Sequence, residues 1–222
     1  AYLADHTPRF KVRLHTPSSW SCVHGVERWR SDCSCGGQGP GWSLAWRAPL
    51  RRGLEAVREG ITAHFDKVAP ALFRDVDLAL REFGDVLARR VGTEAFASRH
   101  LRPGLSEIEK TMAWRLLAMQ KTSLASMASC AWFFDDIGRI EPLGGMATAL
   151  RSMELARETG GPDLEPTLLA QLAEARSNRP EKGSGADLFR REVAPRRETE
   201  ARLVTEALLT LWARGDHPTP GG

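Results

Sequence analysis

The sequence lacks any apolar run close to the roughly 18 to 20 residues that a helix needs to cross a bilayer. Residues 1–10 also lack the charged-then-apolar layout of a secretory signal, and together these absences exclude a membrane protein. The net charge is small, because 31 Lys and Arg stand against 28 Asp and Glu. With 42% hydrophobic and 27% charged residues, the composition is that of a soluble globular chain.

Lysine is scarce, with five Lys against 26 Arg. A GC-rich genome explains this bias more simply than a ligand does.

No initiator Met precedes Ala1, so we expect a chain that was processed or cut from a longer one. Its 222 residues suffice to bury a substantial core without disulfides or metals. The four cysteines are therefore not required for the stability of the core.

Positive charge is concentrated at the front of the chain. Residues 1–52 contain eight Arg and Lys against three Asp and Glu, together with four of the seven tryptophans and three of the four cysteines. Arg binds phosphates and indoles stack on bases, so nucleic-acid binding is one interpretation. The charges are scattered, however, and the pI of about 8.8 is below that of a typical basic domain. We therefore expect no nucleic acid, but we expect the functional chemistry at the front.

The spacing of apolar residues predicts a mostly α-helical fold. Residues 10–14 alternate as F-K-V-R-L, which predicts a short strand that needs partners, since an isolated strand is unstable in water. A long ordered loop rich in Trp and Cys follows over 16–49. Helical periodicity then predicts a bundle of five to seven helices, one of them opened by the capping-box pair Ser106 and Glu109. The predicted helices cover 48–68, 75–91, 107–134, 143–158, 165–175 and 186–213.

The front loop contains the pattern C-x-H followed by C-x-C, formed by Cys22, His24, Cys33 and Cys35. Three thiolates and an imidazole satisfy tetrahedral zinc, although the spacing differs from that of common zinc fingers. The alternative is that the cysteines are small buried apolar residues and that His24 hydrogen-bonds the loop. Both interpretations stay open. A structural zinc is the candidate metal, and no cofactor is strictly required.

Two other uses of these residues fit the sequence less well. A Cys33–Cys35 disulfide has poor geometry and is opposed by a reducing cytoplasm. A nucleophilic pair of Cys22 and His24 requires extended structure, because only there do side chains two residues apart share a face. Nothing else marks an acylation site.

Trp20, Arg28, Trp29 and Asp32 have the composition of a sugar-binding cleft. Flat aromatic faces cover the C–H face of a pyranose, while Arg and carboxylate groups bind its hydroxyls. The alternative is that the tryptophans anchor a loop with few other apolar residues.

Asp135 and Asp136 follow three consecutive aromatic residues at the end of the predicted long helix. Carboxylates are electrostatically disfavoured at a helix C-terminus. The two acids either face solvent or bind a partner such as an Arg, a ligand hydroxyl or another domain, and the sequence leaves both open.

Several segments of the sequence resemble a known family. They are S-W-S-C-V-H-G-V-E-R-W-R-S-D-C-S-C over 19–35, A-W-R-A-P-L-R over 45–51, the stretch 119–137 ending S-C-A-W-F-F-D-D-I, Ile140-Glu141, and S-N-R-P-E over 177–181. They resemble the bacterial and archaeal proteins that carry the domain of unknown function 3536. In those proteins the domain follows a catalytic barrel similar to glycoside hydrolase family 57.

The resemblance implies a cytoplasmic enzyme that acts on α-glucans or maltooligosaccharides by retaining hydrolysis or transglycosylation. The catalytic Glu and Asp would lie in a β/α barrel upstream in the same polypeptide, so no catalytic residue is assigned here and the chain alone should be inactive. On this interpretation, 1–47 are the strand and cleft-lining loop of the missing barrel's edge. Residues 48–216 are the helical C-terminal domain, and 217–222 are a disordered tail.

The resemblance also implies substrate contacts. The segment 129–134 is similar to a small-small-Asp-Trp-x-Phe motif of family 57, with Ala131 in place of the acid, so Trp132 is a candidate sugar platform. Asp135 and Asp136 make a poor catalytic pair, because adjacent helix positions point about 100° apart. The expected substrate-binding residues are Trp20, His24, Arg28, Trp29, Asp32, Trp132, Asp135 and Asp136. The alternative, from another class, is a non-enzymatic binding or interaction module with zinc held by Cys22, His24, Cys33 and Cys35.

Overall fold

A computed structural model of the chain describes residues 5–6, 9–19, 21–35, 39–197 and 200–213. The predicted helical bundle is confirmed. The α-helices are α1 (Arg47–Leu72), α2 (Val76–Leu87), α3 (Thr93–His100), α4 (Glu107–Ser126), α5 (Ile140–Glu158), α6 (Glu165–Leu172), α7 (Gly185–Leu188) and α8 (Glu200–Ala213). No helix within these ranges is both long and apolar enough to cross a membrane.

The core of the bundle is built on α1. Its apolar residues at helical spacing, Leu50, Leu54, Val57, Ile61 and Phe65, are all 0–1% exposed, as their period predicts. Helix α1 packs against α4, α5 and α6, and α4 packs along α5. This buried face accounts for the stability of the bundle, because each fully buried aliphatic or aromatic side chain contributes roughly 1.5–3 kcal/mol.

Several helix boundaries differ from the prediction. Helix α1 continues through Pro70 to Leu72 instead of ending near 68. The helix expected over 107–134 ends at Ser126 and is followed by a 3₁₀ turn, Ser129–Trp132, that carries the Trp132 indole into the core. The helix expected over 186–213 is interrupted: α7 gives way to a π-turn and a 3₁₀ turn. Pro195 lies in that last turn and lacks the N–H that an α-helix needs.

Helix α3 was not predicted. It is eight residues long, and only Phe96 and His100 are buried, so its periodic signal is weak. The Phe96 ring packs against the rings of His100 and Trp114, with centroids 4.4 and 5.3 Å away. Tertiary contact rather than local pattern therefore defines this helix.

The strand predicted over 10–14 is not formed. Residues 11–15 have no regular secondary structure, and Phe10, Val12 and Leu14 are 87, 85 and 81% exposed. A strand needs the backbone of a partner, and the described parts of the chain place none beside these residues. The tail predicted over 217–222 lies outside the described residues, as does Trp20.

Residues 21–35, called the front segment below, lie against one end of the bundle. A 3₁₀ turn in this segment, Glu27–Trp29, contacts both α1 and the turn Ser129–Trp132. The Cys- and His-rich stretch is thereby brought beside the N-terminus of α1.

Candidate metal centre

The four residues of the C-x-H and C-x-C patterns come together. One ligand atom each from Cys22, His24, Cys33 and Cys35 lies within 4.8 Å of all the others. The Cys22 Sγ is 3.5 Å from the Cys33 Sγ and 3.9 Å from the Cys35 Sγ. The His24 Nδ1 is 3.4 Å from the Cys33 Sγ and 3.2 Å from the Cys35 Sγ.

These distances fit the edges of a zinc tetrahedron. With Zn–S bonds of about 2.3 Å and a Zn–N bond of about 2.0–2.1 Å, neighbouring sulfurs lie about 3.8 Å apart and sulfur and nitrogen about 3.6 Å apart. Each of the four measured separations agrees with these values to within about 0.4 Å. The donor set, three thiolates and one imidazole, is one that structural zinc sites use.

A tight turn brings His24 back beside Cys22. The Gly25 N–H donates to the Cys22 carbonyl at 3.1 Å, and Gly25 has a φ of +82°, which favours glycine. A Cβ at this position would also lie 3.2 Å from the Pro17 carbonyl oxygen. The turn Glu27–Trp29 then reverses the chain and leads it to Cys33. The two ligand pairs thus meet through local turns and not through extended structure.

The environment of the cluster separates the pKa values of its two buried thiols. Burial by itself raises the pKa of Cys22, but hydrogen bonds from the backbone of Arg28, the Cys33 thiol and the backbone of His24 outweigh it and lower the pKa to about 6. Burial raises the pKa of Cys33 to about 11, with the adjacent Cys35 and Cys22 side chains adding to the effect. The cluster therefore favours loss of one proton before the other, and a metal that binds there displaces the protons that remain.

Arg47 lies directly behind the cluster and was not predicted as a site residue. Its Nη1 donates to the Cys33 and Cys35 carbonyls at 2.9 and 3.2 Å, and its Nη2 donates to the Phe134 carbonyl at 3.0 Å. The side chain is 0% exposed. Burial first, and then repulsion from Arg28, lowers the pKa of Arg47 to about 10, so it remains charged at neutral pH.

Arg28, which was expected to bind substrate, resembles Arg47 in being buried and in donating to backbone carbonyls. It is buried, its Nη1 donates to the Phe133 carbonyl at 3.1 Å, and its Nη2 donates to the Ser21 carbonyl at 2.8 Å. Its guanidinium carbon also lies 5.4 Å from the centre of the Phe133 ring. Arg28 thus links the front segment to the turn after Trp132.

Trp29 and Asp32 also join the front segment to the bundle. The Trp29 Nε1 donates to the Ser129 carbonyl at 2.9 Å. An Asp32 carboxylate oxygen accepts from the Ala48 N–H at 3.2 Å, in the first turn of α1. The Asp32 side chain is exposed and Trp29 is partly exposed, so both keep surface that a ligand could reach.

Trp132 has no exposed surface that a ligand could reach. It is 0% exposed, and its Nε1 donates to the Arg47 carbonyl at 3.1 Å. A sugar platform needs an accessible ring face, so in this structure Trp132 is a core residue. The expectation of a platform came from the motif alone, which does not report burial.

Asp136 is buried and has partners within the chain. Its carboxylate accepts from the Ser177 Oγ at 3.0 Å, the Asn178 N–H at 2.6 Å and the Gly138 N–H at 2.7 Å. The Asp135 carbonyl accepts from the Asn178 Nδ2 at 2.8 Å. The solvent-facing alternative is therefore wrong for Asp136, whose carboxylate is buried against the segment 177–178.

Sequence reasoning did not predict Arg47, Ser177 or Asn178 as site residues. Of these, Arg47 had a signal in the helical spacing of the sequence. Arg47 precedes Leu50 by three positions and Leu54 by seven, so it continues the buried stripe of α1. A charged residue on a buried stripe marks a position that needs explanation. Ser177 and Asn178 lie in a segment that carries the family resemblance, but nothing in the sequence linked them to Asp136, because the contact spans more than 40 residues of chain.

The fold and the site together define a helical bundle with a Cys₃His cluster docked at one end. The sequence matches a family described as Domain of unknown function (DUF3536) over residues 42–219. The match covers more than half of the chain, which therefore belongs to this family, as its motifs predict. The front segment lies N-terminal to the matched residues. No curated protein and no solved structure matches the chain.

Proposed function

We propose that this chain is a non-catalytic helical module whose front segment is held in its folded form by a structural zinc ion, which cross-links the segment to itself. Cys22, His24, Cys33 and Cys35 hold the ion. The observation that carries the proposal is the convergence of their four ligand atoms to within 4.8 Å of one another.

The number of ligands supports a structural role over a catalytic one. Structural zinc sites have four protein ligands, whereas catalytic sites have three and leave a position for water or substrate. Here the side chains supply all four. Cys22 and Cys33 are also buried, which limits the access of a substrate to the ion.

Metal analysis of protein purified under reducing conditions without chelator tests this proposal. We expect about one zinc per chain, and a loss of zinc in Cys33→Ser, because three ligands bind structural zinc far more weakly than four. Cys130→Ser is the matched control, since Cys130 is an exposed cysteine outside the cluster. Folded wild-type protein that contains no metal and whose melting temperature is unaffected by zinc would contradict the proposal.

A second candidate function is compatible with the first: the module forms part of an α-glucan-active enzyme of the glycoside hydrolase family 57 type. Membership of the DUF3536 family supports it through the resemblance described above. The exposure of Phe10, Val12 and Leu14 also supports it, since alternating apolar side chains exposed by more than 80% fit a strand whose partners belong to another domain. A catalytic barrel upstream in the same polypeptide would supply both the strands and the carboxylates.

The side chains available for a glucan are those that keep exposed surface. His24 and Asp32 are exposed, and Trp29 and Asp135 are partly exposed, so these four remain proposed substrate contacts. The side chains of Arg28, Trp132 and Asp136 are buried. We expect the chain alone to be inactive on maltooligosaccharides, and a polypeptide that includes the upstream barrel to be active. Enzyme-like turnover by the isolated chain would contradict the assignment.

A further inference from the structure

We infer that a cleft at the end of the bundle away from the cysteine cluster binds a small phosphorylated molecule, whose phosphate group is held by Arg74 and Arg102. The cleft lies where α1 ends and where α3 and α4 approach each other. Helix α1 has 26 residues and therefore spans about 39 Å. The cysteine cluster lies beside the opposite end of this helix, so the inference goes beyond the proposed function and does not depend on the zinc site.

Backbone pairing between two segments places the two arginines in the wall of the cleft. The Arg74 N–H donates to the His100 carbonyl at 2.8 Å. The Arg102 N–H donates to the Leu72 carbonyl at 2.9 Å, so the two segments run antiparallel. Both arginine side chains are exposed and line a cleft of about 710 Å³. Their positions are thus fixed by main-chain contacts that join α1 to α3.

Each guanidinium is oriented by one bond and keeps its other donors. The Arg74 Nε donates to the Leu101 carbonyl at 2.8 Å, and the Arg102 Nε donates to the Pro70 carbonyl at 2.9 Å. These bonds satisfy carbonyls at the ends of α3 and α1, which lack partners inside their helices. They leave four Nη–H groups on each arginine. In the part of the chain that the structure describes, no carboxylate lies at ion-pair distance from either guanidinium.

The charges around the cleft favour an anion. Lys110 and Glu107 also line it, but the Lys110 Nζ lies 2.6 Å from a Glu107 carboxylate oxygen, so these two charges compensate each other. Two arginines then stand against one carboxylate, that of Glu94. The planar fork of a guanidinium binds phosphate oxygens through two parallel hydrogen bonds. Two such forks match the double negative charge of a phosphate monoester.

Glu94 indicates what the rest of the ligand contains. Its carboxylate repels a phosphate but accepts hydrogen bonds from hydroxyl groups. A volume of about 710 Å³ lies within the range of small-molecule sites and exceeds what a phosphate ion fills. A ligand that carries hydroxyl groups beside its phosphate satisfies both the arginines and Glu94. We therefore assign the cleft to small phosphorylated molecules with hydroxyl groups.

Titration of the full chain with inorganic phosphate tests the role of the arginines. Amide NMR at constant ionic strength should show saturable shifts in residues 97–107, which line the cleft. Arg74→Gln and Arg102→Gln should each weaken binding about tenfold or more, because each substitution removes charge-assisted hydrogen bonds. Arg74→Lys keeps the charge but lacks the fork, so its loss should be smaller, and it serves if the glutamine variants fail to fold.

Arg90→Gln is the matched control for the loss of one positive charge. Arg90 is exposed, is ion-paired to Asp85 and lies outside the cleft. Its substitution should leave phosphate affinity at the wild-type value. Shifts that do not saturate in the wild type, or equal affinities in Arg74→Gln and Arg90→Gln, would mean that the arginines only stabilise the helix ends and would overturn the inference.

Glycerol 3-phosphate tests the class of ligand. It should bind the wild type more tightly than inorganic phosphate does, because its hydroxyl groups reach Glu94. Glu94→Gln should bind inorganic phosphate more tightly than wild type, since a repelling charge is removed, and should reduce the advantage of the ester. Equal affinity of the wild type for the two probes would contradict the assignment to hydroxylated ligands.

Zinc content separates this inference from the proposed function. The substitutions at Arg74, Arg102 and Glu94 should leave zinc content at the wild-type value, because the two sites lie at opposite ends of α1. A wild-type chain that binds phosphate saturably but contains no zinc would contradict the proposed function alone. A chain that binds zinc but shows no saturable phosphate binding would overturn the inference alone.

Discussion

The bundle and the front segment are held by different kinds of contact. In α1, the residues Leu50, Leu54, Ile61 and Phe65 are at most 1% exposed and pack on other apolar side chains. In the described front segment the buried side chains are Cys22, Arg28 and Cys33. The segment joins the bundle through hydrogen bonds of Arg28, Trp29 and Asp32, and the Trp29 ring also packs against the core. Apolar burial accounts for the first region, while we propose that a metal ion at the cysteine cluster cross-links the second.

The largest expected effect is in the bundle. Leu116→Ala removes a side chain that is 0% exposed in α4 and should lower the free energy of unfolding by about 2–5 kcal/mol, through lost burial and the remaining cavity. Chemical denaturation measures this change. Zinc content should remain that of wild type, because the ligands lie in the other region.

The control for this substitution is Leu124→Ala in the same helix. Leu124 is 63% exposed, so its truncation should change stability by no more than about 0.5 kcal/mol. A loss of zinc in Leu116→Ala while the protein is still folded would show that the two regions are not independently stabilised.

Gly25→Ala tests the front segment alone. The left-handed backbone of Gly25 disfavours alanine, and the added Cβ would contact the Pro17 carbonyl, at a cost of roughly 1–3 kcal/mol. We expect zinc binding to weaken about tenfold or more, measured by chelator competition, with the unfolding of the bundle unchanged.

Gly41→Ala provides a matched comparison. Gly41 also has a positive φ, +80°, but a Cβ there would contact nothing within 4 Å, and the residue lies outside the cluster. It should leave zinc affinity at the wild-type value. Equal losses of affinity in the two variants would mean that the turn at Gly25 does not position His24.

A change of pH should have a smaller effect, on the stability of the bundle, through His64. Burial lowers the pKa of His64, whose Nε2 lies 2.9 Å from the Thr159 Oγ1 inside the bundle. The unfolded chain therefore takes up a proton near pH 6.5 while the folded chain resists it. Stability is complete above pH 6.5 and falls as the pH drops below that value towards the lowered pKa.

Denaturation of the bundle at several pH values measures this dependence, and His64→Gln should reduce its slope below pH 6.5. The chelated protein is the appropriate sample, since zinc binding has its own pH dependence through the thiolates. An unchanged slope in His64→Gln would assign the acid sensitivity to other groups.

The sequence pattern correctly predicted features that depend on residues close to one another in the chain. The stripe of α1 and the capping box of Ser106 and Glu109 are both present as expected, since each depends on residues within a few positions of one another. The contacts of Asp136 and the burial of Trp132 depend on segments far apart in the chain. No periodicity encodes them, so the sequence left Asp136 open between solvent and a partner, and the family resemblance offered Trp132 as a sugar platform.

The cysteine cluster was predictable from the sequence only in part. The residue types of Cys22, His24, Cys33 and Cys35 offered zinc as one interpretation, but the sequence left buried apolar packing open beside it. The separations between the Sγ and Nδ1 atoms favour metal, because they match a tetrahedron. Arg47 had a signal in the buried stripe of α1, but the position of Arg47 and Arg28 beside the cluster depends on the fold.

Hydrogen exchange of the full chain, with zinc and after chelation, tests the central claim most directly. We expect amides in residues 21–35 to lose protection when zinc is removed, while amides in the middle of α1 and α4 exchange at unchanged rates. Equal protection of the front segment in both states would contradict the claim that a metal centre holds this segment in its folded form.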